Sequence, residues 1–298
     1  MEPLEEALVD FSSIPAPRHA VVLLIDTLRA DALAEAHTPT IDALRQGGVS
    51  PTLHWSAGTW TVPSVVSLFL GMPIRQHGWD EPSGHLGRYP PLPDSPTLAG
   101  VLSDAGFESH GLYANPYLAE ELGFDRGFDQ WRRSADKSIP RQFASLVEEH
   151  FNGEKRQFVY LHLLGPHSPL RPSEAARIRW GVDPSWFEER FGLEIGVAKR
   201  NRRPGAREAY AAAYRAVIED TDLLVAAILD ALGEHREDTL VLLTSDHGEL
   251  LGEHNIAGHG THVWEPLTRV PLILNVPGGR PALPERVGGA EIPHLLTS

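Results

Sequence analysis

Residues 20–26 read AVVLLID, an apolar run that ends in a carboxylate. A continuous apolar run of this length predicts a strand buried on both faces, as in a parallel sheet covered by helices. Asp26 then stands at the carboxyl end of the strand, where open α/β sheets collect their ligands. Residues 239–247, TLVLLTSDH, repeat the pattern and place Asp246 and His247 at an equivalent position.

Helical segments alternate with these strands along the chain. Thr38-Pro39 opens a helix that Gly47-Gly48 closes, a second helix spans 63–70, and a third starts at Ser95-Pro96 and stops at Gly106. Apolar residues at helical spacing predict a long helix over 210–232. Further strands are predicted at 107–113, 158–162 and 270–276, the last interrupted by Pro271. This alternation predicts an α/β fold, a three-layer sandwich whose mostly parallel central sheet is flanked by helices.

The rhythm of strands and helices is interrupted once, between about residues 171 and 207. This stretch mixes aromatic residues with the basic run Lys199–Arg203, and we interpret it as an insertion beside the sheet. The basic run itself is typical of solvated surface. We expect residues 1–298 to form a single catalytic domain with little or no C-terminal subdomain.

Composition excludes several classes of function. The formal net charge of −14 would repel nucleic-acid phosphates, so a nucleic-acid partner is not expected. The chain contains no cysteine, which excludes disulfides, thiolate metal sites and thiol nucleophiles. The acidic first residues lack a signal-peptide pattern, and no apolar run is long enough to span a bilayer. We therefore expect a cytoplasmic protein with no membrane partner, and its oligomeric state stays open.

The polar residues at the strand ends can carry metal chemistry. Two carboxylates and an imidazole, from Asp26, Asp246 and His247, can bind a divalent cation. A hydroxyl held against that cation loses its proton more easily and becomes a usable nucleophile. Thr61 is the natural hydroxyl, because it lies at the expected amino terminus of the 63–70 helix, where an anionic group would be stabilised.

These motifs resemble the sulfatase-like branch of the alkaline-phosphatase superfamily in both order and spacing. The resemblance runs over nearly the whole chain and rests on seven segments: VVLLIDTLRADAL, HTPTIDALRQGG, TWTVPSVVSLFLG, IRQHG, LHLLGPHSP, DTLVLLTSDHGELLGEH and RVPLILNVPGG. It implies an alkaline-phosphatase-like sandwich in which Asp26, Asp246 and His247 bind metal and Thr61 occupies the position of the covalent nucleophile.

The nucleophile segment departs from that of sulfatases proper. Those enzymes carry C-x-P-S-R or S-x-P-S-R, whose first residue is oxidised to formylglycine, whereas residues 61–65 here read TVPSV. Thr61 cannot form that aldehyde, so no formylglycine is expected. The resemblance implies that members with threonine, such as nucleotide pyrophosphatases and lipoteichoic acid synthases, attack phosphorus and form a phospho-enzyme. We therefore predict a phosphatase, phosphodiesterase or phosphonate hydrolase that acts on a small anionic ester.

Two histidines are further candidates for substrate binding and catalysis. His167 lies in the segment GPHSP, which in the family approaches the substrate, and His259 lies near the position where the family keeps a group beside the leaving group. An imidazole, whose unperturbed pKa is about 6.5, could protonate a departing alkoxide. His162, His254 and His262 receive no role. For the metal we expect one ion, with manganese or zinc favoured over magnesium or calcium by the mixed oxygen and nitrogen ligands.

Three alternatives to phosphoester hydrolysis remain open at this point. The chain could hydrolyse sulfuric esters, transfer a phosphoryl-linked group to an alcohol, or bind ligands without turnover. The combination of Asp26, Thr61, Asp246 and His247 argues against the last of these, because a protein without catalysis has no chemical need for all four residues.

Overall fold

A computed structural model describes residue 11 and residues 14–79, 91–187 and 204–297. Its centre is a six-stranded sheet in the order β4-β3-β5-β1-β6-β9. All neighbouring strands run parallel except the β6 and β9 pair, which is antiparallel. The strands are β1 His19–Ile25, β3 Phe107–Tyr113, β4 Gln130–Arg133, β5 Arg156–Leu163, β6 Thr239–Thr244 and β9 Leu272–Asn275.

Helices cover both faces of this sheet. The helices are α1 Ala30–Glu35, α2 Pro39–Gly47, α3 Thr61–Leu70, α4 Ile74–His77, α5 Leu98–Asp104, α6 Ile139–Leu146, α7 Glu174–Arg179, α8 Ala206–Ala231, α9 Glu265–Thr268 and α10 Ile292–Thr297. Short strand pairs lie beside the sheet, β2 Leu53–Trp55 with β10 Arg286–Gly288 and β7 Leu250–Leu251 with β8 Ala257–Gly258. The predicted three-layer α/β sandwich with a mostly parallel sheet is confirmed.

Strand β1 is the axis of the sheet, since it pairs with β5 on one side and β6 on the other. Every residue of β1 is buried, as its continuous apolar sequence predicts. Val21 and Leu23 point into a core shared with α6 and α8, whereas Val22 and Leu24 point into a core shared with α3 and α5. The two cores hold β1 in place from both faces.

Three element boundaries differ from the prediction. Helix α3 begins at Thr61 instead of residue 63. Pro63 therefore lies in the first helical turn, where backbone N–H groups have no acceptor within the helix, so the missing N–H of proline costs no hydrogen bond. Helix α5 begins at Leu98, where Thr97 Oγ1 accepts a hydrogen bond from Gly100 N at 3.1 Å. Strand β9 begins only after Pro271, which cannot donate a ladder hydrogen bond.

The predicted insertion lies only partly within the described residues. Helix α7 packs beside α8, and Trp180 Nε1 donates to Glu219 Oε1 on α8 at 2.9 Å. Asp222, also on α8, accepts from the backbone N–H groups of Thr40 and Ile41 at 3.1 and 2.8 Å, so it caps the first turn of α2. The basic run Lys199–Arg203 lies outside the described residues.

Within residues 14–79, 91–187 and 204–297, none of the helices combines the length and the apolar character needed to cross a bilayer.

Packing between β3 and β4 gives a stability prediction. A Cβ added at Gly111 would lie 1.9 Å from Trp131 Cε3. Trp131 cannot easily move, because it stacks on Tyr113 and its Nε1 donates to Leu118 O at 2.9 Å. We expect Gly111→Ala to lower the free energy of unfolding by about 3 kcal/mol, the upper range for overpacking a core, in a urea titration.

Gly106→Ala is the matched control for this change. Gly106 precedes the same strand with a φ of +88° and has no neighbouring atom within 4 Å of the added Cβ. Only backbone strain is then expected, at about 1 kcal/mol. Equal losses in the two variants would contradict the proposed clash with Trp131.

Candidate active site

The carboxyl ends of four neighbouring strands bring polar side chains together. Asp26 follows β1, Asp246 and His247 follow β6, Asn115 follows β3, and His162 lies near the end of β5. All five residues are buried. The candidate site therefore forms where parallel strands end at one edge of the sheet, as open α/β sheets place their ligands.

Thr61 is the first residue of α3 and lies at this same edge of the sheet. It is 3% exposed, and its Oγ1 lies 3.4 Å from both Asp26 Oδ2 and His247 Nε2. Asn115 Nδ2 donates to Thr61 Oγ1 at 3.1 Å and to Asp26 Oδ2 at 2.7 Å. The first turn of a helix also carries N–H groups without intrahelical partners, which favour an anion in front of Thr61.

The two carboxylates each keep one oxygen free for a cation. Asp246 Oδ1 accepts from Thr27 N at 3.2 Å and from His247 N at 2.9 Å. Asp26 Oδ1 and Asp246 Oδ2, both buried, have no hydrogen-bond partner among the described residues. Buried oxygens of this kind are costly unless a further group binds them, and a divalent cation is such a group.

His247 presents its ring nitrogen to the same point. Nδ1 lies 2.8 Å from Gly248 O and donates to it, so Nε2 carries the lone pair. Nε2 lies 3.5 Å from Asp26 Oδ1 and 3.6 Å from Asp246 Oδ2. Burial, together with the nearby His259, lowers the pKa of His247 to about 3, so the imidazole is neutral at pH 7. A neutral imidazole is the form that binds metal.

The titration of the carboxylates also fits a cation site. Burial and the charge of Asp26 raise the pKa of Asp246 well above its usual range. Burial opposes the ionisation of Asp26, but neighbouring imidazoles, chiefly that of His167, lower its pKa. Two carboxylates at such close range repel each other, and a cation between them removes that repulsion. Asp26, Asp246, His247 and Thr61 could hold a metal ion, which would supply positive charge to the hydroxyl and to an anionic ligand.

His162, to which the sequence assigns no role, contacts Asp26. Because a carboxylate oxygen can only accept, a hydrogen bond to Asp26 Oδ2 places the proton on His162 Nε2, and Nδ1 then accepts from the Tyr160 hydroxyl at 2.9 Å. His162 Nε2 then faces Asp26 Oδ2 at 3.4 Å as a donor. One ring nitrogen of His162 also lies within 4.8 Å of ligand oxygens of both Asp26 and Asp246, so His162 could bind a cation when that nitrogen carries the lone pair.

Both further histidines named from the sequence lie beside these residues. The His259 ring centroid lies 4.5 Å from that of His247 and 5.1 Å from that of His167. Glu249, fully buried, has Oε1 3.2 Å from His259 Nδ1. Burial lowers the pKa of His259, but Glu249 outweighs it, so the pKa is raised overall.

The two remaining histidines of this region pack elsewhere. The rings of His254 and His262 contact Trp264, at 4.5 and 4.1 Å between centroids.

Three residues at the site were not identified from the sequence: Asn115, Glu249 and His162. The signal for Asn115 was present, because it follows β3 as Asp26 follows β1. Glu249 comes two residues after His247 and gives no pattern of its own.

A cavity of about 700 Å³ opens next to the site. Its walls include Ala114 and Leu164, which follow the carboxyl ends of β3 and β5, and the cations Arg133 and Lys137. Ala114 directly precedes Asn115, so the cavity adjoins the carboxyl edge of the sheet on its β3 side.

Comparison with known proteins identifies the family to which this chain belongs. The family model described as Sulfatase matches residues 18–292. This chain is a member of the sulfatase family.

This sulfatase-family chain is 27% identical over 264 residues to the low-salt glycan biosynthesis sulfotransferase Agl7 of Haloferax volcanii. The match covers 84% of the chain and 52% of the relative, so the chain spans about half the length of that relative.

Solved structures share the fold at low sequence identity. A putative sulfatase of Bacteroides thetaiotaomicron has a TM-score of 0.71 at 18% identity, covering 93% of this chain and 68% of that one. The phosphonate monoester hydrolase of Agrobacterium radiobacter has a TM-score of 0.70 at 18% identity, covering 93% of this chain and 72% of that one. Both likenesses confirm the fold of this sulfatase-family member.

The opposed carboxylates give a testable prediction about metal binding. In Asp246→Asn the amide oxygen can still accept from Thr27 N and His247 N, while the amide nitrogen replaces the oxygen without a partner. We expect this variant to be more stable than the wild type in EDTA, by roughly 1–3 kcal/mol, because a buried repulsion is removed. With manganese or zinc the order should reverse, since a metal at about 1,000 times its Kd stabilises the wild type by about 4.1 kcal/mol, more than the advantage of the variant.

The pH dependence of this difference has a defined sign. Because folding raises the pKa of Asp246, the cost of its charge is absent below about pH 4, the unfolded value, and grows as the pH rises through the folded value. The advantage of Asp246→Asn in EDTA should therefore increase with pH. Thermal unfolding across a pH series measures it, and a wild type that is the more stable protein in EDTA at every pH would contradict the arrangement.

Proposed function

We propose that this sulfatase-family member is a metal-dependent hydrolase of phosphate esters, either mono- or diesters, with phosphonates as a related substrate class and Thr61 as its covalent nucleophile. One observation carries the proposal. The hydroxyl of Thr61 lies 3.4 Å from both Asp26 Oδ2 and His247 Nε2 and accepts from Asn115 Nδ2 at 3.1 Å, at the amino end of α3. This environment favours the alkoxide form of the hydroxyl when a cation is bound.

The chemistry of the nucleophile favours phosphorus over sulfur. A formylglycine requires an oxidisable cysteine or serine at the position of Thr61, and the chain has no cysteine at all. A threonine alkoxide attacks phosphorus directly and leaves a stable phosphoester on the enzyme. Hydrolysis of sulfuric esters stays as the second candidate, because the family and the Haloferax volcanii relative carry sulfuryl chemistry in their names.

The proposed reaction has two displacement steps. In the first, the deprotonated Oγ1 of Thr61 forms a bond to phosphorus while the bond from phosphorus to the leaving oxygen breaks, and the leaving oxygen keeps the electron pair. His259, held at Nδ1 by Glu249, gives its proton to that oxygen. In the second step water attacks phosphorus, the bond to Oγ1 breaks, and phosphate leaves. A proton of the water returns to His259, which restores the starting state.

The remaining polar side chains have positioning roles in this scheme. Asn115 holds Asp26 and Thr61 at a fixed separation through two hydrogen bonds from one amide nitrogen. His162 orients Asp26 from the other side. His167 lies next to His259, where its imidazole can contact a nonbridging oxygen of the substrate.

The charge around the site suits an anionic ester. The chain as a whole carries a formal charge of −14, so binding an anion requires local positive charge. The cavity beside Asn115 would supply it through Arg133 and Lys137, since the one carboxylate in its lining, Asp136, already accepts from the N–H groups of Leu164 and Gly165. This cavity would accept the part of the substrate that is not transferred.

Mixed carboxylate and imidazole ligands favour manganese or zinc as the metal, bound as one ion between Asp26, Asp246, His247 and Thr61. Magnesium and calcium prefer sites built from oxygen alone.

Substitution of Thr61 tests the nucleophile. We expect Thr61→Ala to lower kcat by at least about 10³-fold on aryl phosphate monoesters, diesters and phosphonates, because no oxygen remains to attack phosphorus. Thr61→Ser, which keeps the hydroxyl, should stay within about 100-fold of the wild type. Metal content should be retained in both, since Asp26, Asp246 and His247 are unchanged.

The same substrate panel decides between phosphorus and sulfur. Wild-type protein loaded with manganese or zinc should turn over the phosphorus esters faster than the matching aryl sulfate. A wild type whose best substrate is the sulfate would overturn the substrate class, and an unchanged rate in Thr61→Ala would overturn the nucleophile.

Substitution of His259 tests the proton donor. His259→Gln should lower kcat by roughly 10²–10³-fold for alkyl esters, which need a proton on the leaving oxygen, and far less for nitrophenyl esters. Because the general acid must be protonated, the kcat for alkyl esters should fall as the pH rises through the raised pKa of His259. This fall should be absent from the pH profile of His259→Gln.

The matched control is His262→Gln, since His262 stacks on Trp264 rather than on the site histidines. We expect wild-type rates for both classes of ester in this control. Equal losses for alkyl and nitrophenyl esters in His259→Gln would remove it as the general acid.

A further inference from the structure

A second group of metal-binding side chains lies at the opposite, amino-terminal edge of the sheet. Glu108 and His110 lie on one face of β3, and His150 lies in the π-helical turn Val147–Phe151 that continues α6. Each offers one ligand atom within 4.8 Å of the others. His110 precedes Asn115 by five residues, or about 16 Å of strand, so this group is separate from the Thr61 site.

Gln157 on β5 fixes which nitrogen of His110 can bind a cation. The amide nitrogen of Gln157 donates to Glu108 Oε2 at 3.3 Å and to Lys155 O at 3.2 Å. Its amide oxygen therefore faces His110 Nε2, at 3.1 Å, and Nε2 must be the donor. The lone pair of His110 is then on Nδ1. That nitrogen is buried without a hydrogen-bond partner among the described residues, in a side chain that is 1% exposed.

His150 also directs its Nδ1 atom, towards the carboxylate of Glu108. Its Nδ1 lies 3.3 Å from Glu108 Oε2, while its Nε2 lies 3.8 Å from Glu149 Oε2. Binding of a cation at Nδ1 requires only that the neutral ring carries its proton on Nε2, where Glu149 can accept it. The His110 and His150 rings lie 4.6 Å apart between centroids, with the Glu108 carboxylate beside them.

The protonation state of His110 also suits a ligand. Burial and the neighbouring His150 lower its pKa below the usual value. The ring is therefore neutral at pH 7, and its lone pair is available without displacing a proton.

From this geometry we propose that Glu108, His110 and His150 form a second, structural metal site for a divalent transition-metal ion such as zinc. Two imidazole nitrogens and one carboxylate oxygen are a donor set that selects zinc and its neighbours over magnesium or calcium. Gln157 orients two of the ligands through its hydrogen bonds to Glu108 and His110, and the Glu149 carboxylate lies 3.8 Å from Nε2 of the third, His150. Glu108 and His150 are half-buried, so water can complete the coordination. The ion would fasten the turn after α6 to strand β3.

A neighbouring cluster of two histidines and one carboxylate shows that the tautomer decides whether a histidine can bind metal. His19, His235 and Asp238 also lie close enough to share a cation. His19 Nδ1, however, accepts from Gln157 N at 3.0 Å, so its other nitrogen carries the proton and cannot bind metal. His235 is therefore a matched control for His150, since both are half-buried histidines near the amino edge of the sheet.

The test measures bound zinc per chain after equilibration with zinc chloride and gel filtration. The proteins are the wild type, His150→Gln, Glu108→Gln and the control His235→Gln. We expect the first two variants to hold one zinc ion fewer than the wild type, with affinity at that site reduced at least about 100-fold, and His235→Gln to match the wild type. Phosphoesterase turnover of His150→Gln should equal that of the wild type.

A second set of measurements, made on protein that carries Asp246→Ala, distinguishes this site from the Thr61 site. Asp246→Ala removes a ligand of the Thr61 site only, so a zinc ion that remains in that variant should be lost on adding His150→Gln. Zinc should also raise the melting temperature of Asp246→Ala but not of the double variant. Equal zinc content with and without His150→Gln, or an equal loss in His235→Gln, would overturn the second site and leave the proposed function untouched.

Discussion

The structure depends on two buried carboxylates that meet at the carboxyl edge of the sheet. Asp26 and Asp246 reach that position because β1 and β6 are adjacent, parallel and buried along their whole length. Like charges at this range destabilise the folded chain unless a cation or a proton lies between them. The apolar strands therefore bring two like charges together at their ends, and a divalent cation bound there, next to Thr61, would remove the repulsion.

Helix α3 converts this cation site into a candidate catalytic site. Its first residue is Thr61, and Trp60 before it is extended, so the helix begins abruptly with the hydroxyl against Asp26. Asn115 and His162 fix Asp26 from two further strands, which leaves the carboxylate little freedom to move. Such preorganisation is what metal-assisted displacement requires of a protein. The sulfatase fold provides the frame, and the proposal of phosphorus chemistry rests on the identity of residue 61.

Residues at strand ends could be predicted from the sequence, and residues placed by register could not. Asp26, Asp246 and His247 follow apolar runs, and strand order alone brings them together. His162 lies inside β5, and it approaches Asp26 only because it pairs with Leu24 in the parallel register of β1 and β5. The start of α3 was predicted two residues late, since a proline in the first turn fits both starting points. The π-helical turn that carries His150 has no sequence signature of its own.

Trapping the covalent intermediate tests the central claim most directly. Protein turning over an aryl phosphate monoester is quenched in acid, which preserves a phosphoester of threonine, and its peptides are analysed by mass spectrometry. The account predicts one phosphoryl group on Thr61, present during turnover and absent without substrate. A phosphoryl group on another residue, or unmodified Thr61 in protein that is actively hydrolysing the ester under conditions where the intermediate accumulates, would contradict it.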